Sequence, residues 1–534
     1  MNIGRHKQRN REKLINEFGN LKNEQFDFTL IEKYFRGKDH SATFQTLSDK
    51  VCNDIDFYEL FTFIDRTNSK VGQQFLYDKM RTLSLDGTEN EKLICELTTN
   101  IELRIHIQSL LSKLNSTDSY YISSLFLEEH LKNPKWLWGI KSLSGLSLLF
   151  LILAFIKPIT LFFLFATFII NMGVHYWNKK HIHQYLNSIP QLLKLNDIAK
   201  TLLKSKLFRE SKKNPSKSVQ VIEKIKNQMR FFRLEVMLQG DSKIILWGIW
   251  ELFKILFLLE PMFLFDTLKK IKNKKNEIEN VFTFIGEIDA TMSILSLRSG
   301  LKDYCLPNII HEQKKIVAIN VYHPLIVNCK KNSIKVDKKS ILLTGSNMSG
   351  KTSFIRTIGI NALTGMTLNT CFADEFTMPK MGIFSAIRIN DNLEDGKSYY
   401  FEEVITIKGM LDKCTDENIN LLLLDELFKG TNTTERISAG KAVLSYLSKM
   451  NSIVFVSTHD IELADLLRKE FELYHFCEKV ENGNIQFDYE LKKGKLQTRN
   501  AIKILIANGF PESIIKEAIT VANRDCKMNS VLQY

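Results

Sequence analysis

The apolar run Ile341-Leu342-Leu343 leads directly into Thr344-Gly345-Ser346-Asn347-Met348-Ser349-Gly350-Lys351-Thr352, and this junction restricts the fold more than any other stretch of the chain. Glycine at 345 and at 350 lets the backbone turn tightly enough to aim several N–H groups at one anion. Lys351 brings a point charge suited to β- and γ-phosphates, and the Thr352 hydroxyl is an oxygen ligand for Mg²⁺. Residues 353–362 read as a helix whose positive N-terminus faces the same anion. A strand, a phosphate-cradling loop and a helix in that order belong to an α/β sheet. The expected nucleotide contacts are the loop residues 345–350 together with Lys351, Thr352 and Ser353.

Two further strand ends strengthen this reading. Asn420-Leu-Leu-Leu-Leu-Asp425-Glu426 describes a buried central strand that ends in carboxylates, where open α/β sheets bind ligands. Asp425 is placed to hold Mg²⁺ through water, and Glu426 to orient and polarise an attacking water. Ile453-Val-Phe-Val456 ends in Ser457-Thr458-His459-Asp460, where a histidine can sense the γ-phosphate. A strand ending in acids can merely cap the next helix, and a single histidine is usually structural. Three strand ends in this order point instead to ATP hydrolysis, with Lys351, Glu426 and His459 as catalytic residues and Thr352 and Asp425 as metal ligands.

The residues around these positions resemble the MutS family of DNA mismatch-repair ATPases. That family's loop typically reads Thr-Gly-Pro-Asn-Met-Gly-Gly-Lys-Ser, and the Asn347-Met348 pair is kept here. His323-Pro324-Leu325-Ile326 is similar to the element that opens the family's ATPase domain, and Gly430-Thr-Asn-Thr-Thr434 to its Gly-Thr-Ser-Thr turn. Asp391-Asn-Leu-Glu-Asp-Gly396-Lys397-Ser398 resembles the signature loop, whose serine reaches the nucleotide of the opposite subunit. The resemblance therefore implies that Ser398 contacts ATP in trans, within a homodimer paired through the ATPase domains. The segments from Gln497 and Gly509 onward look like the family's C-terminal helices. Phe63-Ile-Asp65-Arg66-Thr67-Asn-Ser69-Lys-Val-Gly72 is similar to the start of its helical core. A transporter-type ATPase is excluded by order: Ile437-Ser-Ala-Gly440, the only echo of its signature, lies after Asp425.

Mismatch-sensing members of that family carry a large N-terminal module with a Phe-x-Glu wedge. The core-like segment begins near residue 50, so the expectation is a member without that module. Phe57-Tyr58-Glu59 matches the wedge literally. However, Phe57, Leu60, Phe61 and Ile64 fall at i, i+3, i+4 and i+7, the spacing of a helix burying one face.

Residues 136–177 form two apolar arms, each about 20 residues or roughly 30 Å as helix, which matches a bilayer's hydrocarbon core. Lys157-Pro158 breaks them, because proline disfavours helix at the preceding residue. Trp136, Trp138, Tyr176 and Trp177 lie at the outer ends, as interfacial aromatics do. Lysines 132, 135 and 141 flank one arm, and lysines 179 and 180 the other. By the positive-inside rule, both termini and the ATPase domain face the cytoplasm, with the chain held at the cytoplasmic membrane. The competing reading is a buried hairpin in a soluble core, where helices usually keep a polar stripe. A third apolar stretch, 244–265, contains Glu251, Lys254, Glu260 and Pro261. Charges at mid-bilayer cost at least ~2.5 kcal/mol each, so this stretch is expected in the helical core or near the interface.

The basic N-terminus has no apolar run behind it, so it does not read as a secretion signal. The 8 cysteines are scattered without a Cys-x-x-Cys pair, the usage of a reducing compartment. A net charge of +13, with dense basic runs at 204–233 and 269–275, suits DNA phosphates and the anionic inner leaflet equally. At 534 residues several domains are expected. The expected class is α + α/β: a helical core and lever interrupted by a two-helix transmembrane hairpin, then a C-terminal P-loop ABC-type ATPase domain. Its parts are residues 1–134 (helical core), 135–178 (hairpin), 179–315 (lever and core) and 316–534 (ATPase with dimerisation helices). The expected cofactors are ATP and Mg²⁺, and the expected partners are double-stranded DNA, a second copy and the membrane. The alternative function is an ATP-driven conformational device acting on a membrane partner without nucleic acid.

Overall fold

The structure, a computed structural model, describes residues 2–83, 91–128, 137–210, 214–226, 244–311, 313–346, 348–388, 399–414, 417–481, 484–496, 505–506 and 509–531. It mixes helix and sheet, as an α + α/β class requires. Two units interleave along the chain. Met1–Ser41, Ile64–Arg81 and Glu89–Gly300 form one; Ala42–Phe63, Thr82–Thr88 and Leu301–Tyr534 form the other.

The first unit is helical. Helix α1 (Lys70–Arg81) packs against the long helix that ends the unit, Lys275–Gly300. Glycines set their approach: a Cβ on Gly72 would lie 2.2 Å from Asp289 Oδ2, and one on Gly286 would lie 2.6 Å from Phe75 Cβ. Asp289 is fully buried. It accepts hydrogen bonds from the backbone N–H groups of Asn68 (2.8 Å) and Ser69 (2.8 Å) and from Ser69 Oγ (2.6 Å). That one carboxylate satisfies the donors of the turn leading into α1, which would otherwise be orphaned. Burial raises the Asp289 pKa despite those donors.

Helices α2 (Leu137–Ala154) and α3 (Thr160–Leu202) are joined by a short turn and pack on each other. Phe150 stacks on Phe163 with centroids 5.7 Å apart, and Asn171 Nδ2 donates to Ser147 Oγ at 2.9 Å. The second arm does not stop near residue 178, since α3 continues through Pro190 to Leu202. Among the described residues one window, Thr160–Trp177, is long and apolar enough to cross a membrane; the apolar stretch Trp138–Ala154 is shorter. Helix α4 (Ile244–Phe257), from the third apolar stretch, packs against both arms. Its Lys254 is turned inward, 1% exposed. The next helix is α5 (Leu259–Lys272), so α6 denotes the unit's final helix, Lys275–Gly300.

Besides two-stranded pairings of Gln45–Thr46 with Thr82–Leu83 and of Glu478–Glu481 with Asn484–Phe487, the second unit holds two larger sheets. The strands of these two are β1 (Asn308–Ile310), β2 (Lys315–Val321), β3 (Asn332–Asp337), β4 (Ser340–Thr344), β5 (Glu375–Pro379), β6 (Met381–Ala386), β7 (Ile419–Asp425), β8 (Ser452–Thr458), β9 (Phe471–His475) and β10 (Lys492–Lys493). The small sheet runs β1-β5-β2-β3 and the large one β10-β9-β4-β8-β7-β6. In the large sheet every pairing is parallel except β9 with β10. The central strands are buried along nearly their whole length, the continuous apolar pattern of a sheet covered on both faces. The helices α7 (Lys351–Leu368), α8 (Tyr399–Lys413), α9 (Thr433–Lys449) and α10 (Ile461–Leu467) connect them.

Residues 42–63 complete this unit from far away in sequence. The Gln45 side chain donates to Ile383 O (2.8 Å) and accepts from Ile383 N (2.8 Å), pairing with edge strand β6 as a neighbouring strand would. Buried Asp54 accepts from Ser385 Oγ (2.7 Å) and Arg388 N (2.8 Å). Phe57, Leu60, Phe61 and Ile64 lie on the helix Phe57–Ile64 and are all 0% exposed. The Phe57-Tyr58-Glu59 match is thus a packed helix.

Candidate active site

Parallel register brings the three strand ends to one edge. Ser457 on β8 is level with both Leu343 on β4 and Asp425 on β7, and Thr458 is level with Thr344. The loop after β4 needs its glycines. Gly345 has φ +150° and Gly350 φ +104°, and a Cβ on Gly345 would fall 2.7 Å from Phe476 O. Met348, at φ +68°, turns its side chain out to 81% exposure. Ser349 Oγ donates back to Ser346 O at 2.8 Å, and Ser346 Oγ donates to Glu478 Oε2 at 2.7 Å. Helix α7 begins at Lys351, so its unpaired N–H groups and positive end face the loop. Ser353 lines the same cavity. Asn347 and Ser398 lie outside the described residues.

Lys351, His459 and Glu426 form one chain of contacts, and Thr352 and Asp425 pair beside them. Lys351 Nζ donates to Gly345 O (2.8 Å) and Ser346 O (2.7 Å) and lies 3.5 Å from His459 Nε2. Burial pulls its pKa down to about 8, although Glu426 and Asp425 oppose this. Thr352 Oγ1 donates to Asp425 Oδ2 at 2.8 Å, and Ser457 Oγ donates to the other carboxylate oxygen. Hydroxyl and carboxylate oxygens facing each other are a hard donor pair, the kind Mg²⁺ prefers.

Glu426 adopts φ +49°, and its N–H donates to Ser457 O at 2.9 Å, which fixes the carboxylate at the strand tip. Its two oxygens lie 2.6 Å from His459 Nε2 and 2.8 Å from Lys429 Nζ. Burial alone would raise the Glu426 pKa, but the hydrogen bonds from His459 and Lys429 outweigh it and hold the pKa at about 2. His459 therefore contacts Glu426 and Lys351 together, a position its strand-end location did not specify.

Several neighbours carried no motif. Glu403 on α8 is 1% exposed and accepts a hydrogen bond from Gly430 N at 3.4 Å, bracing the turn after Glu426. Lys429 follows Glu426 by one helical spacing, a weak signal in sequence. Tyr489 borders the cavity from the far end of the chain. Asn332 fixes it there by donating to Tyr489 O (3.0 Å) and accepting from Leu491 N (2.8 Å). The cavity measures about 490 Å³, and its lining combines Ile326, Val327, Met348 and Tyr489 with Lys351 and Glu426. Apolar walls with a few charged groups are the usual make-up of a small-molecule site.

The family described as MutS domain V matches residues 341–524, which contain all of these strand ends. The DNA mismatch repair protein MutS of Aquifex pyrophilus is 29% identical over 262 residues, covering 47% of this chain and 30% of that protein. Its counterpart from Petrotoga mobilis is 30% identical over 262 residues, covering 46% and 31%.

Residues 341–524 thus match MutS domain V, and about half of the chain is similar to MutS proteins.

A third relative, MutS of Thermotoga maritima, is 26% identical over 281 residues, 51% of this chain and 35% of its own. The chain spans about a third of the length of the curated relatives it matches. Helices α2 to α5 lie outside the range matched by MutS domain V.

Proposed function

We propose that this chain binds ATP with Mg²⁺ and hydrolyses it to ADP and phosphate. The observation that carries the reading is the meeting of Lys351, Thr352, Asp425, Glu426 and His459 at one sheet edge beside the glycine loop 345–350. Lys351 exchanges its two carbonyl partners for β/γ-phosphate oxygens. Thr352 and Asp425 would hold Mg²⁺, whose charge neutralises the phosphates. Glu426 stays ionised and accepts a hydrogen bond from the attacking water, orienting it toward the γ-phosphorus. His459 holds Glu426 from one side and stands next to Lys351, where it can register the γ-phosphate. Glu426→Gln is expected to keep ATP binding and to lower turnover by at least about a hundredfold. Retained hydrolysis in that variant would remove Glu426 from the mechanism.

Duplex DNA is the proposed ligand of the assembly, because the relatives above are named as DNA mismatch repair proteins. A membrane tether is proposed from a separate observation. Phe155, Ile156, Ile159, Phe162 and Phe165 are 88%, 70%, 73%, 70% and 63% exposed, an apolar surface far larger than water tolerates on a soluble helix pair. In this reading α2 and the first part of α3 enter the bilayer and the nucleotide site faces the cytoplasm. The same surface favours the second reading, an ATP-driven device acting on a membrane partner. ATPase rate of detergent-purified protein, with and without duplex DNA across a salt series, separates the two. Stimulation that fades with salt supports DNA; a rate indifferent to DNA supports the membrane device. Recovery of the protein in the soluble fraction would sink the tether.

A further inference from the structure

Helices α3, α4 and α5 of the first unit pack together around four ionisable side chains that ATP chemistry does not use. Glu251 and Lys254 come from α4, Glu260 from α5 and His175 from α3. Lys254 Nζ sits 2.6 Å from Glu251 Oε2 and 2.6 Å from Glu260 Oε1. One ammonium therefore stands against two carboxylates, which leaves a net negative charge in a site where His175 is 1% and Glu260 5% exposed. Buried charge of this kind is costly without a further cation.

His175 supplies an independent indication of what that cation is. Its side chain is buried, yet neither ring nitrogen makes a hydrogen bond. Nε2 lies 3.6 Å from Glu251 Oε1, and Nδ1 lies 3.6 Å from Glu260 Oε2. That separation is too long for a hydrogen bond. One ion takes only one of the two ring nitrogens, and a single such spacing suits two ligands of a common ion, since donors each about 2.1 Å from a tetrahedral cation stand about 3.4 Å apart. One donor atom from each of His175, Glu251 and Glu260 falls within 4.8 Å of the others. Asn171, one turn earlier on the same helix face, is fully buried and leaves its Oδ1 without a partner.

We propose that His175, Glu251 and Glu260 bind one first-row divalent cation of the Zn²⁺ class, for which the Lys254 ammonium is the competitor. An imidazole nitrogen with two carboxylate oxygens is the ligand set such ions favour over Ca²⁺. Binding draws both carboxylates off Lys254 and requires neutral His175, so a proton leaves any imidazolium present.

The test uses the full chain, stripped with chelator and titrated with Co²⁺ as optical probe and Zn²⁺ by calorimetry. One Co²⁺ per chain is expected, with visible bands of a nitrogen and oxygen ligand set and no thiolate charge-transfer band. His175→Ala and Glu260→Gln should each weaken binding by about tenfold or more. Lys254→Met should strengthen it by about tenfold, because the competitor is gone. A plain ion-pair network would instead lose stability in Lys254→Met without gaining metal, and that result overturns the proposal. So does the absence of saturable binding, a thiolate band, or affinity unchanged by His175→Ala. If His175→Ala does not fold, His175→Gln preserves bulk, and the direction of the Lys254→Met effect decides alone.

Discussion

Lys351 is the residue on which local environment and chemistry meet most directly. Its pKa of about 8 arises because burial disfavours the ammonium more than Glu426 and Asp425 favour it. The direction of the pH effect follows. At pH 8 and above the site holds Lys351 partly neutral, and phosphate oxygens, which favour the charged form, pull a proton back. ATP binding should therefore take up protons near pH 8 to 9 and take up none near pH 6. Affinity should fall as pH rises through about 8. Calorimetry in buffers of different ionisation heat measures the uptake, and buffer-independent heats at pH 8.5 would contradict it. Glu426 shows the opposite outcome of the same competition, since hydrogen bonds from His459 and Lys429 outweigh burial and hold its pKa at about 2. The acidic pair at a strand end is readable in sequence. That His459 and Lys429 clamp it is not, because His459 arrives from another strand end and no motif marks Lys429 three residues on.

At the scale of elements, the glycines of the first unit are as informative as those of the nucleotide loop. Gly72 sits where α1 crosses α6, and any side chain there would collide with the carboxylate that caps the preceding turn. Gly72→Ala is expected to cost about 3 kcal/mol, from overpacking and from disturbing the Asp289 hydrogen bonds. The first unit's urea midpoint should fall, and an unchanged midpoint would mean the crossing has slack. The turn Asp65 to Ser69 was legible as a motif. Its partner Asp289 is an ordinary acid in a helix sequence, and nothing local marks it. The apolar arms were legible by composition. The inward turn of Lys254 toward Glu251 and Glu260 could not be read, because helical periodicity does not reveal which face finds a partner. Likewise, nothing in residues 42–63 announces that Gln45 and Asp54 finish the edge of a sheet drawn from residues 340–493.

At the scale of the whole molecule, two copies are expected to clasp nucleotide through Ser398. A Ser398→Ala protein and a Lys351→Ala protein, each inactive alone, should restore part of the ATPase rate when mixed. One of the two mixed sites then has both an intact Lys351 and an intact Ser398. No recovery would argue against a shared site. The sequence alone determined the strand–loop–helix, the acid-tipped central strand and the apolar arms, because each depends on neighbours within one or two turns of chain. Only the tertiary structure decided that His459 bears on Glu426 and that Tyr489 borders the cavity. It alone joined residues 42–63 to the C-terminal sheet and gathered His175, Glu251, Lys254 and Glu260 into one buried cluster. Those contacts link positions far apart in the chain, and their energies come from burial and charge pairing that no local pattern encodes.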